Sequence, residues 1–168
     1  EGVMAKISVL GAGSWGTALA VVLHKNGHEV TIWSIAQDEI DMLKKEREHK
    51  DKLPGVKIAE EIGLTTDLKE AISGRDMLVV AVPSPYIRST AKSMAPYVED
   101  GQLLVSVAKG IEEGTLMTLS AILEQEIPQA EVAVLCGAMR KKSGSDCRRH
   151  WLPAQSEKRR QSWYSLPL

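Results

Sequence analysis

The segment Gly11-Ala12-Gly13-Ser14-Trp15-Gly16 constrains this chain more than any other. It follows a short apolar run, Ile7-Ser8-Val9-Leu10, and opens a stretch with Ala18, Leu19, Val22 and Leu23 at helical spacing. Asn26-Gly27 supplies the stop for that helix. A glycine triad between strand and helix has a specific geometry. Gly11 permits the tight turn, Gly13 lets backbone approach a pyrophosphate, and Gly16 lets helix and strand pack closely. The helix N-terminus then offers free N–H groups and a positive dipole end to phosphates. A glycine turn that only closes a strand–helix unit is the bland alternative. The second apolar run, Val30-Thr31-Ile32-Trp33, completes the unit and favours dinucleotide binding.

The same alternation continues to Leu135. Residues 38–49 read as an amphipathic helix with Ile40 and Leu43 inward, and Leu53-Pro54-Gly55-Val56 as a loop. Asp67 and Glu70 resemble a capping box. Met77 to Val82 is a continuous apolar run, expected of a strand buried on both faces. Pro83-Ser84-Pro85 breaks it before a helix running to about Ala95. Leu103 to Val107 and Val132 to Leu135 read as strands, with a helix from Leu116 to Glu126 between them. This pattern predicts an α/β fold with a doubly wound, mostly parallel sheet of Rossmann-like type.

The end of the second strand should judge the adenosine ribose, an acid accepting from the 2′-hydroxyl or an arginine receiving a 2′-phosphate. The window Trp33-Ser34-Ile35-Ala36 holds neither. The choice between NAD and NADP stays open, with a lean to NAD because the window has no cation. His24, His28 and His49 lack metal-ligand spacing, so no metal is expected and exposed positions are predicted for them.

The chain changes character near Cys136. Residues 139–168 hold eight of the 21 Lys/Arg against Asp146 and Glu157, a charge of +6. The remainder carries 13 against 20 Asp/Glu, or -7. Residues 4–137 are therefore read as a dinucleotide-binding domain and residues 138–168 as an aperiodic basic tail. Two cysteines, Cys136 and Cys147, make no disulfide framework, and no apolar run approaches the ~20 residues of a membrane span. A cytoplasmic location is expected.

The run Ile7-Ser8-Val9-Leu10-Gly11-Ala12-Gly13-Ser14-Trp15-Gly16-Thr17-Ala18-Leu19-Ala20 resembles the opening of the bacterial-type NAD(P)-dependent glycerol-3-phosphate dehydrogenases. Leu53-Pro54-Gly55-Val56 continues the likeness, as do Val80-Ala81-Val82-Pro83-Ser84 with Ile87-Arg88, and Val107-Ala108-Lys109-Gly110-Ile111-Glu112. It covers roughly residues 4–137. The resemblance implies hydride transfer between a nicotinamide cofactor and C2 of glycerol 3-phosphate, interconverting it with dihydroxyacetone phosphate for glycerophospholipid precursor synthesis. It implies that Ser14 and Trp15 contact the dinucleotide, that Lys109 touches cofactor and substrate, and that Gly137 matches a substrate-contacting glycine. Trp15 could otherwise be a core aromatic, and Lys109 and Arg88 solvated residues.

The likeness breaks after Leu135. The family continues as Ser-Gly-Pro-Ser-His-Ala-Glu-Glu-Val, whereas this chain reads Cys136-Gly137-Ala138-Met139-Arg140-Lys141-Lys142-Ser143-Gly144. The family's helical second domain, with its catalytic lysine and an Arg-Asn pair for the substrate phosphate, has no counterpart. Read out of register, codons for Gly137 to Gly144 can spell Ser-His-Ala-Glu-Glu-Val-Gly, which predicts a frameshift near Cys136–Ala138. The expected chain binds cofactor weakly, does not turn over, and self-associates through exposed core surface. The alternative is an inactive dinucleotide-binding module whose basic tail binds nucleic acid or acidic membrane. The primary reading expects neither partner.

Overall fold

The computed structural model describes residues 4–135. Expectations for Cys136, Gly137, Cys147 and residues 138–168 lie outside the described residues.

Six parallel strands form one sheet: β1 (Lys6–Leu10), β2 (Glu29–Trp33), β5 (Gly63–Thr65), β6 (Met77–Val80), β7 (Leu103–Ser106) and β8 (Glu131–Val134). Their order is β5-β2-β1-β6-β7-β8. The chain runs outward from β1 through β2 to β5, then crosses back to lay β6 on the other side of β1. Ile7 faces Val30 on one flank and Met77 on the other. A ligand crevice is expected at the carboxyl end where the order reverses, between β1 and β6.

Strand alternation sorts the core into two layers. Ile7, Val9, Val30, Ile32 and Val79 pack on one face with Ala20 and Val21 of α1 (Ser14–Lys25) and Leu43 of α2 (Gln37–Glu46). Leu10, Leu78, Val80 and Leu104 pack on the other against α3 (Leu68–Ile72), α4 (Ile87–Met94) and α5 (Leu119–Glu126). Burial on both faces is why these strands are continuous apolar runs.

The helix starting at Ser14 and stopping at Asn26-Gly27 is present, with Gly27 at φ 87°. Its buried stripe, however, is Gly16, Thr17, Ala20 and Val21, and Val22 is half exposed. Spacing cannot say which apolar residues face the sheet when nearly the whole helix is apolar. The stripe is set by the need to bring Gly16 against the strand.

The helix over 38–49 is corrected to α2, ending at Glu46. Arg47 takes a left-handed conformation, φ 47°, and its guanidinium donates to the carbonyls of Ala59 at 3.3 Å and Ile62 at 3.1 Å. Those tertiary bonds outweigh one more helical turn. The chain then forms β3 (Glu48–His49), paired antiparallel with β4 (Leu53–Lys57), so the loop expected at Leu53–Val56 is a strand. Pro54 fits there because a two-stranded pair is all edge.

The helix predicted from Leu116 begins at Leu119. Leu116 sits at φ 57°, Glu112 N–H donates to the Met117 carbonyl at 2.9 Å, and Thr118 caps α5 by accepting from Ala121 N–H at 3.3 Å. The capping box at Asp67 is half formed. Asp67 accepts from Lys69 and Glu70 N–H groups, while the Glu70 carboxylate accepts from the Thr65 hydroxyl instead of reaching back.

His28 and His49 are buried, against expectation. His28 turns under β1 just past the Gly27 stop, where Nδ1 accepts from Ala5 N–H at 3.3 Å. Neighbouring polar residues mark both as surface in the sequence, but His28 is drawn in by Ala5 of the strand region and His49 by Glu39 of α2.

Candidate dinucleotide site

The glycine turn is held from both sides. Gly11 N–H extends the ladder to the Trp33 carbonyl at 2.8 Å, and Ala81 N–H donates to the Leu10 carbonyl at 2.8 Å. Gly11 lies at φ 120°, and a Cβ there would stand 2.7 Å from the Ala81 carbonyl oxygen. A Cβ on Gly16 would lie 2.0 Å from the Gly11 carbonyl oxygen. Buried Thr17 ties the turn to its own helix, its hydroxyl donating to the Ala12 carbonyl at 3.1 Å. Gly13 is different. It has extended backbone at φ -65°, and a Cβ there would meet nothing within 4 Å.

No side chain caps α1, so its first N–H groups have no partner within the helix and point out of the sheet's carboxyl end. Open space over Gly13 beside these donors and the positive end of the helix fits a pyrophosphate. Ser14 and Trp15 stand at the rim, Trp15 with 52% of its surface exposed, so it is not a core aromatic.

Lys109 follows β7 at the same end of the sheet and is exposed. β7 lies beyond β6 from β1, two ladder spacings or about 10 Å across. The structure thus brings Gly11, Gly13, Ser14, Trp15, Gly16 and Lys109 to one end of the sheet. Gly137 lies outside the described residues.

At the end of β2, Trp33 is buried and its indole donates to the Thr66 carbonyl at 3.0 Å. Ser34 is buried and donates to Glu39 Oε2 at 2.6 Å, while Ile35 stands 86% exposed. Glu39 is the acid that the window lacked, but it is spent inward. Its other oxygen accepts from Lys52 Nζ at 2.5 Å and from His49 Nε2 at 3.1 Å. Lys52 N–H donates to His49 Nδ1 at 3.3 Å, so the ring proton belongs on Nε2, facing the carboxylate. Burial works against the charged form of Glu39, yet the bonds from Lys52, Ser34 and His49 outweigh it and hold the carboxyl below its ordinary value. A carboxylate and a cation come to this strand end from α2 and from the β3–β4 turn. A window four residues long could not contain them.

Arg88 is not the solvated residue it could have been. Its Nε and Nη2 donate to the two oxygens of Glu112 at 2.6 and 2.7 Å, and its Nη1 donates to Glu126 and to Gln125 Oε1 at 3.1 Å. Arg88 and Thr115 together hold the Glu112 carboxyl down at about 2. A carboxyl depressed in the folded state adds stability above its unfolded value near 4.5, and that increment is lost as pH falls toward 2. The urea midpoint of the native chain is therefore expected to drop between pH 5 and pH 2.5. The Glu112→Gln variant should show a flatter acid limb, and identical limbs would remove the pair from the acid response.

Residues 6–140 match the family described as NAD-dependent glycerol-3-phosphate dehydrogenase N-terminus. The chain belongs to this family. A glycerol-3-phosphate dehydrogenase (NAD(P)+) of Agathobacter rectalis is 60% identical over 134 residues, covering 80% of this chain and 40% of the relative. One from Fusobacterium nucleatum is 51% identical over 136 residues, with 80% and 41% covered. The crystal structure of the glycerol-3-phosphate dehydrogenase of Coxiella burnetii superposes with a TM-score of 0.73 at 31% identity, over 78% of this chain and 40% of that one. The chain spans about 40% of the length of these relatives. The family's cofactor is NAD(P), and the Rossmann-like sheet with its glycine turn is the part of a glycerol-3-phosphate dehydrogenase that this chain carries.

Proposed function

We propose that residues 4–137 are the dinucleotide-binding domain of a glycerol-3-phosphate dehydrogenase, taking NAD or NADP along the carboxyl end of the sheet. The observation that carries this reading is the contrast within one turn: two glycines jammed against backbone, and Gly13 facing open space beside uncapped helix N–H groups. Gly11, Gly13 and Gly16 shape the pyrophosphate cradle, and Ser14 and Trp15 lie along the dinucleotide. The Lys109 ammonium faces the nicotinamide end and the substrate, where it attracts phosphate or polarises the carbonyl. When bound, the cofactor supplies or accepts the hydride. Gly137 contacts the substrate, glycerol 3-phosphate or dihydroxyacetone phosphate.

The intact protein interconverts these two metabolites in the cytoplasm, at the entry to glycerophospholipid synthesis, with no nucleic-acid or membrane partner. No described helix is long and apolar enough to cross a membrane. The 168-residue chain binds the cofactor weakly, does not turn over, and self-associates through apolar surface near β7 and β8, where Val105 and Leu135 are only partly buried. Fluorescence titration with NADH and NADPH tests the first point, dihydroxyacetone phosphate reduction the second, and sedimentation velocity over a range of concentrations the third. Saturable quenching, no turnover and a concentration-dependent mass are expected. Absence of any dinucleotide binding would overturn the functional reading.

Residues 138–168 are read as out-of-frame sequence. Coding DNA should open, in the shifted frame, into a helical domain with the family's lysine and Arg-Asn pair. A written frame that is the only open one would remove this reading.

A further inference from the structure

The Arg88 cluster joins three elements that the functional reading leaves unrelated. Arg88 rises from α4, Glu112 belongs to the segment between β7 and α5, and Gln125 and Glu126 stand at the end of α5. The segment itself is a tight excursion. Ile111 bridges to Thr118, Leu116 N–H donates to the Glu112 carbonyl at 3.0 Å, and Leu116 is held left-handed although its side chain is 70% exposed. A bulky residue in that conformation persists only where its surroundings impose it. A tether in the surroundings is the two-pronged, charge-assisted bond from Arg88 to Glu112.

Lys109 stands three residues before Glu112 on the same segment, with Gly110 between them at φ 121°. That conformation suits glycine and turns the chain sharply between the two residues. The Lys109 backbone is anchored by β7 behind it and, on the other side of Gly110, by the segment that the Arg88–Glu112 tether holds. Without Arg88, the Glu112 and Glu126 carboxylates that share its guanidinium would repel each other across a partly buried gap, and the segment would move away from α5. Lys92 of α4 is the further cation that acts on Glu112.

We propose that Arg88 is a positioning residue: by clamping Glu112 it fixes the β7–α5 segment so that Lys109 meets the dinucleotide at the carboxyl end of the sheet. This rests on the reading of Lys109 as a cofactor contact. The chain can therefore lose dinucleotide affinity through a residue that touches no ligand.

A double-mutant cycle on the full 168-residue chain, read by NADH fluorescence titration with thermal melts alongside, tests it. Arg88→Met should weaken NADH binding about fivefold, Arg88→Lys nearly as much because an ammonium cannot reproduce the fork, and Glu112→Gln about threefold. In the Lys109→Met background the same changes should leave NADH affinity unaltered, although the melts still fall. A residue with a purely structural role would weaken binding by the same factor in both backgrounds, and that result overturns the clamp while sparing the Lys109 reading. Unchanged affinity in Lys109→Met alone removes the Lys109 reading, and the clamp with it. Should Arg88→Met fail to fold, Glu112→Gln runs the same cycle with the same outcomes.

Discussion

Replacing Gly16 with alanine is expected to destabilise the domain by about 3 kcal/mol, seen as a large fall in the urea midpoint. The added methyl would stand 2.0 Å from the Gly11 carbonyl oxygen, about an ångström inside the closest approach that a Cβ tolerates. That oxygen cannot swing aside as a side-chain tip could. Gly11 is fixed by its bond to Trp33 and by the Ala81 backbone behind it. In a free helix the same change would gain about 1 kcal/mol of propensity, so the sign of the result separates packing from propensity. A variant as stable as the native chain would mean that α1 can back away from β1, and that the close approach is not required.

Gly13→Ala should do the reverse: leave the urea midpoint within about 0.5 kcal/mol and cost about tenfold or more in dinucleotide affinity. Its backbone is extended, which any residue adopts, and the new Cβ would point into space that no protein atom occupies within 4 Å. The fold has no use for a glycine at that point, and a pyrophosphate lying against the backbone does. Gly13→Val should weaken NADH binding further with little added cost in stability. Titration and urea denaturation on the same preparations would settle it. Unaltered affinity in both variants would move the pyrophosphate away from Gly13 and leave the turn as a structural device.

The Arg88 cluster extends the same logic away from the glycines. If Lys109 is held by a tether, the carboxyl end of the sheet is prepared for its ligand by parts on opposite flanks. On the proposed reading the turn after β1 carries the phosphates, while the segment after β7 is fastened to α4 and α5.

Much of this was legible in order along the chain. The alternation of apolar runs with helical stretches determined a parallel α/β sheet, because a strand buried on both faces must be apolar throughout and its crossovers must be helices. The triad Gly11, Gly13, Gly16 marked the turn and its place at the sheet's switch point, since at Gly11 and Gly16 the backbone comes too close for any side chain. Ile40 and Leu43 were recognisable as core from spacing alone, and both are fully buried. Such features depend on residues close together, and local chemistry is what a sequence displays.

Tertiary structure decided what depends on partners far apart. Arg47 ended α2 early because its guanidinium found the carbonyls of Ala59 and Ile62, and β3 and β4 exist only as each other's partner. Which stripe of α1 faces inward followed from the contact between Gly16 and Gly11. Glu39, His49 and Lys52 met under the end of β2 from two elements, and Arg88 met Glu112 and Glu126 across 24 and 38 residues. Charged residues at such separations carry no mark in the sequence that distinguishes a partner from a solvated neighbour. The physical reason is that a hydrogen bond or an ion pair acts over a few ångströms, and only the folded chain sets which groups come that close.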